Sequence, residues 1–408
     1  MSYQAVLAPL LATLGLVTLY LLRRRGLEGR ALLACAIVVA FALLLRGLCM
    51  DFISPDYANF LTRWVAYFRE NGGFAALRNS VGDYNVPYLY FLSAISYLNF
   101  PDLYAIKLLS VAFDLVLAWG GLRLAECFCP RGSARAVVAF CLLLLLPTVV
   151  LNGAYWGQCD VIYGAICLHA LACALSGRPK RSVLLLALAF AFKLQTVFLI
   201  PLWCALLFAR KVKLRHLALF PLSFAVTCLP ALLLGKPIGD ILGVYMTQTT
   251  EYSAYLCMNA SSLFALLPDG VSNPQLLARL GIAAALLLVL AVLGVLFAAR
   301  RRLNAQSLLL AGLIFTTGIP LLLPHMHDRY FFLADILTLC LACIRPRWFL
   351  PAVLVQCASL KAYHNYLCYG TLSYPAWGVL FVALALVLLC ALLRQTLRAP
   401  ARGMSPQS

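Results

Sequence analysis

Acidic residues are scarce in this chain. Its 408 residues hold 14 Asp and Glu against 32 Lys and Arg, and charged residues of both signs make up only 11%. A soluble protein of this length would need a charged, solvated surface that such a composition does not supply. The 16 cysteines include one CxxC pair, Cys340 and Cys343, which lies inside an apolar run, and no His partner at zinc spacing, so most read as small core hydrophobes. Cys257 and Cys368, both read as outward-facing, are the one pair for which a disulfide is conceivable. There is no P-loop, no GxGxxG after a strand and no DxD motif of the kind that holds a metal and a nucleotide-sugar diphosphate. No internal repeat is visible, which argues against the inverted-repeat transporter folds. The formal charge of +18 comes from short basic clusters, not from a long tail or stripe, so nucleic acid is not an expected partner.

Apolar residues dominate instead. They are 64% of the chain, and the mean hydropathy is +0.93. Many runs approach the ~20 residues that cross ~30 Å of hydrocarbon as a helix, and none alternates with the period of two that a barrel strand requires. The expected fold is an all-α polytopic membrane protein forming one domain over residues 1–408. Spans are expected near 3–22, 31–50, 103–122, 136–151, 158–176, 216–234, 276–299, 307–323, 331–344, 349–363 and 375–393. The first lacks a basic n-region and is followed by Arg23, Arg24 and Arg25, so it reads as a retained helix. The segment from Arg181 to Arg210 is basic at both ends and interrupted by Lys193, Gln195 and Pro201. It reads as a hairpin of two short helices.

Basic residues mark the cytoplasmic side. With the N-terminus outside, the connections 23–30, 123–135, 176–182, 210–216, 299–303 and 345–347 and the tail 394–408 hold 22 of the 32 Lys and Arg and only two acids, Glu28 and Glu126. This orientation makes 51–102 a large first extracytoplasmic loop. It also gathers 51–90, 152–163, FKLQT, 235–275, PHMHDRYFF at 324–332 and YHNYLCYG at 363–370 on one outer face. Residues 86–100 are apolar but short, and are expected as an interfacial or re-entrant helix rather than a span.

The polar interruptions carry the candidate chemistry. Asp56 follows Ser54 and Pro55 just past the second span. At a roofed membrane boundary its carboxylate could act as a general base toward a sugar hydroxyl, or it could merely cap the helix opening at Tyr57. Asp51 reads as ending the span or pairing with Arg46, and Glu70 as a solvated helix-face residue. Asp83, Tyr84 and Asn85 form a turn whose polar and aromatic groups suit carbohydrate. Asn152, Trp156, Gln158 and Asp160 sit at the mouth of a span, where anchoring explains the aromatic residue but not the amides and the acid. Lys193 inside an apolar hairpin costs ~2.5–3.5 kcal/mol if charged at mid-membrane, so it is expected to face a cavity, a phosphate or a carboxylate, or else to snorkel outward. His325, His327, Asp328, Arg329 and Tyr330 form the densest ionisable cluster. Their spacing does not match a common zinc site, and Arg329 suits a phosphate or an ion pair with Asp328 or Asp335. Asp114 and Asp335 are expected to pair inside the bundle.

Five of these segments occur in series: SPDYANFLTRWVAYFRENGGFAAL, DYNVPYLYFL, LPTVVLNGAYWGQCDVIY, FKLQTVFLIPL and PHMHDRYFFLADIL. In that order the chain resembles the bacterial mannosyltransferase-like membrane proteins related to the second GPI-anchor mannosyltransferase, within the GT-C superfamily. The resemblance covers most of the length. It implies a GT-C-type bundle of about 11–13 helices and a glycosyltransferase activity on the outer face of a bacterial plasma membrane, with the C-terminus cytoplasmic. A hexose, by the family's label mannose, would pass with inversion from a polyprenyl-phosphate-sugar donor to a lipid-linked or cell-surface glycan acceptor. The resemblance implies Asp56 as the catalytic base. It aligns Gln158 and Asp160 with the family's WGQ-D motif, Lys193 and Gln195 with FKLQ, and His327, Arg329 and Tyr330 with an H-acid-R-Y motif whose acid, expected as Glu, is Asp328 here. Asp83, Tyr84, Asn85, Asn152, Trp156, Gln158 and Asp160 would then hold sugar or acceptor. Lys193, Gln195, His327, Arg329 and Tyr330 would hold the donor phosphate. No metal and no cofactor beyond the lipid carrier is expected. A transporter or flippase of a lipid-linked sugar or other polar solute is the alternative.

Overall fold

A computed structural model describes residues 3–250, 255–268, 270–369 and 375–399. It is an all-α polytopic membrane protein. Among the described residues, seven helices are long and apolar enough to cross a membrane. In chain order the helices are α1 (Tyr3–Arg24), α2 (Gly29–Cys49), α3 (Thr62–Glu70), α4 (Val86–Ser96), α5 (Asp102–Ala125), α6 (Ala134–Leu145), α7 (Pro147–Val150), α8 (Asp160–Leu175) and α9 (Pro179–Phe192). They continue as α10 (Pro201–Phe208), α11 (Leu214–Leu217), α12 (Leu219–Leu233), α13 (Ile238–Thr250), α14 (Pro274–Ala298), α15 (Ala305–Leu322), α16 (Phe332–Ile344), α17 (Leu350–Leu367) and α18 (Pro375–Arg398).

The expected spans are all helical, but several are too short to cross alone. The expected span 136–151 is bent by 46° between α6 and α7. Pro147 offers no N–H to continue α6, and it holds the preceding Leu146 in an extended conformation with ψ 121°. Helix α8 has 16 residues and α16 has 13, against the ~20 needed to span. Both are apolar on nearly every side and almost wholly buried, as befits helices surrounded by protein. Helix α8 packs between α5 and α9 at the centre of the bundle.

The Arg181–Arg210 hairpin forms as expected. Helix α9 stops at Lys193, which is extended (φ −153°, ψ 130°), and a tight turn over Leu194–Phe198 leads into α10. Helix α4 has 11 residues, lies mostly buried, and packs against α3 and the turn Gly73–Arg78. The segment 235–275, expected as a loop, contains α13. The expected tail begins later than 394, because α18 continues to Arg398; residues 400–408 lie outside the described part. Cys257 and Cys368 are both free, so the conceivable disulfide is not formed.

Arg46 and Asp114 form an ion pair inside the bundle. Arg46 of α2, fully buried, donates through Nε to Asp114 Oδ2 of α5 at 2.7 Å. Of the two readings of Asp51, ending the span fits and the pair with Arg46 does not form: Asp51 lies exposed beyond the end of α2, where its Oδ1 accepts from the Tyr104 hydroxyl at 2.8 Å. Asp114 pairs inside the bundle as its depth implied. Asp335 is also buried but has no such ion pair among the described residues.

Candidate active site at one end of the bundle

One face of α5 positions the site. Lys107, Ser110 and Asp114 follow helical spacing, so they point the same way. The Lys107 ammonium donates to the carbonyls of Cys49, Met50 and Phe52 at 3.0, 3.0 and 2.6 Å, satisfying acceptors that the end of α2 leaves open. Ser110 Oγ donates to the Gln158 carbonyl at 2.8 Å. The same helix thus fixes the strand of chain leading to Asp56 and the turn carrying Gln158.

Ser54 completes the link. Its buried hydroxyl donates to the Trp156 carbonyl at 2.6 Å and accepts the Tyr57 N–H at 3.2 Å. The capping task that Asp56 might have performed therefore belongs to Ser54, and the Asp56 side chain makes no cap bond. Instead it meets three donors: Trp156 Nε1 at 3.1 Å and Gln158 Nε2, both on Oδ2, and the Tyr366 hydroxyl on Oδ1. The Arg329 guanidinium lies 3.7 Å from the same carboxylate. Gly157, between two of these donors, has φ +82°, a conformation only glycine adopts without strain.

Gln158 is fixed at both ends of its amide, because its Oε1 accepts the Tyr84 hydroxyl at 2.9 Å. Tyr84 follows Gly82 and Asp83 in a turn where Gly82 has φ +60° and a Cβ would strike the Trp64 ring at 2.3 Å. Gln248 of α13 anchors that turn, its Nε2 donating to the Asp83 carbonyl at 2.5 Å and to Asn85 Oδ1 at 3.2 Å.

The loop after α15 closes the other side. Two short parallel strands, β1 (Cys257–Met258) and β2 (Met326–His327), tie it to the loop before α14. The His325 N–H donates to the Leu256 carbonyl at 2.8 Å, and His325 itself has φ +60°. This pairing carries His327, Asp328, Arg329 and Tyr330 over the open end.

The result is a cavity of about 510 Å³ lined from all six segments expected to converge. Asp56, Asp83, Tyr84, Gln158, Lys193, Gln195, His327, Arg329 and Tyr330 line it, as does Asp328. Asn85, Asn152, Trp156 and Asp160 do not. They are fully or almost fully buried behind the wall, where direct contact with a ligand is blocked in this conformation. Asp160 is a strut: it accepts Lys193 Nζ at 2.5 Å and Asn152 Nδ2 at 2.8 Å, with Arg329 Nε at 3.5 Å. Lys193 accordingly faces both a carboxylate and a cavity, and it does not snorkel away. The face of Trp156 lies 5.3 Å beneath the Arg329 guanidinium and stacks on Tyr366 at 4.8 Å.

Electrostatically the wall holds three carboxylates, two fixed cations and one imidazole, with the Asp160 carboxylate buried behind it. Burial pushes Asp328 up to about 7, and Asp56 and Asp160 add to the rise against the pull of Arg329 3.6 Å away. Burial likewise raises Asp83 above the usual carboxylate range. Burial, then Arg329 and Lys193, push His327 down to about 2, so its imidazole is neutral at physiological pH. It can donate or accept a hydrogen bond toward a phosphate but not contribute charge. Arg329, shared among Asp56, Asp160 and Asp328, is the central cation.

Several lining residues were not singled out from sequence. Tyr366 lies in the segment 363–370, whose polar and aromatic character was visible although its partner was not. Phe60, Trp64 and Phe192 give the cavity an aromatic side, and Gln248 and Asn259 add amides. Compared with protein-family models and with characterised proteins, the chain matches none.

Proposed function

We propose that this protein is a membrane glycosyltransferase that uses a polyprenyl-phosphate sugar as donor. The observation that carries the reading is the Asp56 carboxylate, exposed to a polar and aromatic cavity, oriented by three donors and set beside the Arg329 guanidinium. A base and a phosphate-binding cation on one wall are what transfer from a phosphate leaving group requires. The resemblance of the five serial motifs to the mannosyltransferase-like GT-C proteins supports the same reading and suggests mannose as the sugar.

In this mechanism Asp56 takes the proton of an acceptor hydroxyl. The acceptor oxygen bonds to the anomeric carbon from the face opposite the phosphate, the carbon–oxygen bond to phosphate breaks, and polyprenyl phosphate leaves, so configuration inverts. Arg329 stabilises the phosphate, with Lys193 reinforcing the field and neutral His327, Gln195 and Tyr330 offering hydrogen bonds. Asp83, Tyr84 and Gln158 face the sugar, against the aromatic surface of Trp64 and Phe60. Asn85, Asn152, Trp156 and Asp160 position these groups from behind. The cavity would open on the extracytoplasmic face of a bacterial plasma membrane, with the N-terminus outside and the C-terminus cytoplasmic. The acceptor would be a lipid-linked or surface glycan.

The test is incubation of purified protein with polyprenyl-phosphate mannose, glucose and arabinose, each radiolabelled in the sugar, and a panel of glycolipid acceptors. Label appearing on an acceptor supports the proposal. Passage of unmodified solute across a proteoliposome, with no label transferred, would favour a transporter instead.

A further inference from the structure

At the opposite end of the same helices a second cavity, of about 1120 Å³, lies between α14 and α18, which both pack against α15. Its walls are apolar along Val292, Val295, Cys390 and Leu393, and its rim carries five arginines: Arg300, Arg301, Arg302, Arg394 and Arg398. The rim is electrostatically uncompensated. Helices α14, α15 and α18 contain no Asp or Glu, and none of the five arginines forms an ion pair among the described residues. Arg300 caps its own helix by donating to the Phe297 carbonyl at 3.1 Å, which still leaves guanidinium donors toward the groove. Arg394 and Arg398 are four apart on one helix face, so they reach the same point.

Topology alone would explain basic residues at a helix end. It does not explain a roomy apolar groove directly beneath them. Guanidinium forks match phosphate oxygens, and the groove offers an acyl chain a protein surface that is continuous with the hydrocarbon. We infer that this groove binds a diacyl anionic phospholipid, its headgroup phosphate held by the arginine rim and an acyl chain lying along α14 and α18. The site is independent of the glycosyl-transfer reading, being at the other end of the bundle.

Native mass spectrometry of the full chain in detergent, titrated with dioleoyl phosphatidylglycerol, tests the inference. A phosphatidylglycerol adduct is expected that dioleoyl phosphatidylcholine does not form and that soluble glycerol phosphate does not displace. Arg394→Gln with Arg398→Gln should weaken it by about fivefold per arginine removed. Because removing basic residues can disturb membrane insertion, Val295→Trp provides a charge-neutral variant that narrows the groove and should also deplete the adduct. Phosphatidylglycerol binding at full strength in both variants would overturn the inference. So would equal binding of phosphatidylcholine, or ready displacement by glycerol phosphate, which would reduce the rim to a simple anion site.

Discussion

Tyr366 donates its hydroxyl to Asp56 across 310 residues of sequence. The bond joins the segment after α2 to the end of α17 and closes the ring of donors around the proposed base. Tyr366→Phe keeps the stacking on Trp156 but removes this donor, and a hydrogen bond to a charged group is worth about 1.5–3 kcal/mol. Transfer activity should fall by roughly ten- to a hundredfold, with unfolding temperature little changed. Unaltered activity in Tyr366→Phe would remove the residue from the site.

The Lys193–Asp160 pair should behave as a buried ion pair. Its side chains are 10% and 0% exposed. Removing Asp160 leaves Lys193 without its carboxylate, and removing Lys193 leaves Asp160 with only the more distant Arg329; breaking a buried pair typically costs about 3–5 kcal/mol. Lys193→Met and Asp160→Asn should each destabilise the protein strongly, and the double variant should recover much of the loss. Additive losses in a thermal double-mutant cycle would contradict the pairing.

Two loop groups give opposite pH signatures. The Asp328 carboxyl, raised from 3.8 to about 7, contributes stability that is fully present below its ordinary value and is lost as pH rises through about 7. The His327 imidazole, lowered from 6.5 to about 2, contributes stability that is present above its ordinary value and is lost as pH falls toward 2. Asp328→Asn should therefore gain in unfolding temperature relative to the parent as pH is raised from 5 to 8. His327→Gln should gain as pH is lowered from 7 to 5. A pH-independent difference in either case would show that the group does not titrate as its surroundings dictate.

Gly157 should be intolerant of a side chain. At φ +82° an L residue carries a strain of roughly 1–2 kcal/mol, and relief of that strain must move Trp156 or Gln158. Gly157→Ala should lose more activity than stability. Equal activity in the variant would show that the two donors tolerate displacement.

Much of the fold was legible because apolar runs of membrane length leave few alternatives. The hairpin around Lys193 could be read from its basic ends and its interruption. What hydropathy could not separate was crossing from burial: α8 and α16 are apolar because protein surrounds them, and the sequence of a lipid-facing helix looks the same. The site was legible as a set of segments, since polar residues at membrane boundaries are costly and few. Its internal division was not. Asp160 and Gln158 are two positions apart, yet one is a strut behind the wall and the other lines the cavity, because the turn at Gly157 and the start of α8 aim them differently. Arg46 found Asp114 rather than Asp51 because α2 and α5 pack together, a contact that no local spacing reveals. Asp56 itself was ambiguous until Ser54 was seen to take the capping bond.

Asp56 is the proposed base for sugar transfer. The most direct measurement is radiolabel transfer from polyprenyl-phosphate sugar by Asp56→Asn, run beside a thermal unfolding curve of the same preparation. Asparagine keeps the size: its Oδ1 can accept from Trp156 and Gln158 while its Nδ2 donates to the Tyr366 hydroxyl oxygen, so the variant should fold while transfer falls to background. Full transfer by a folded Asp56→Asn protein would contradict the account.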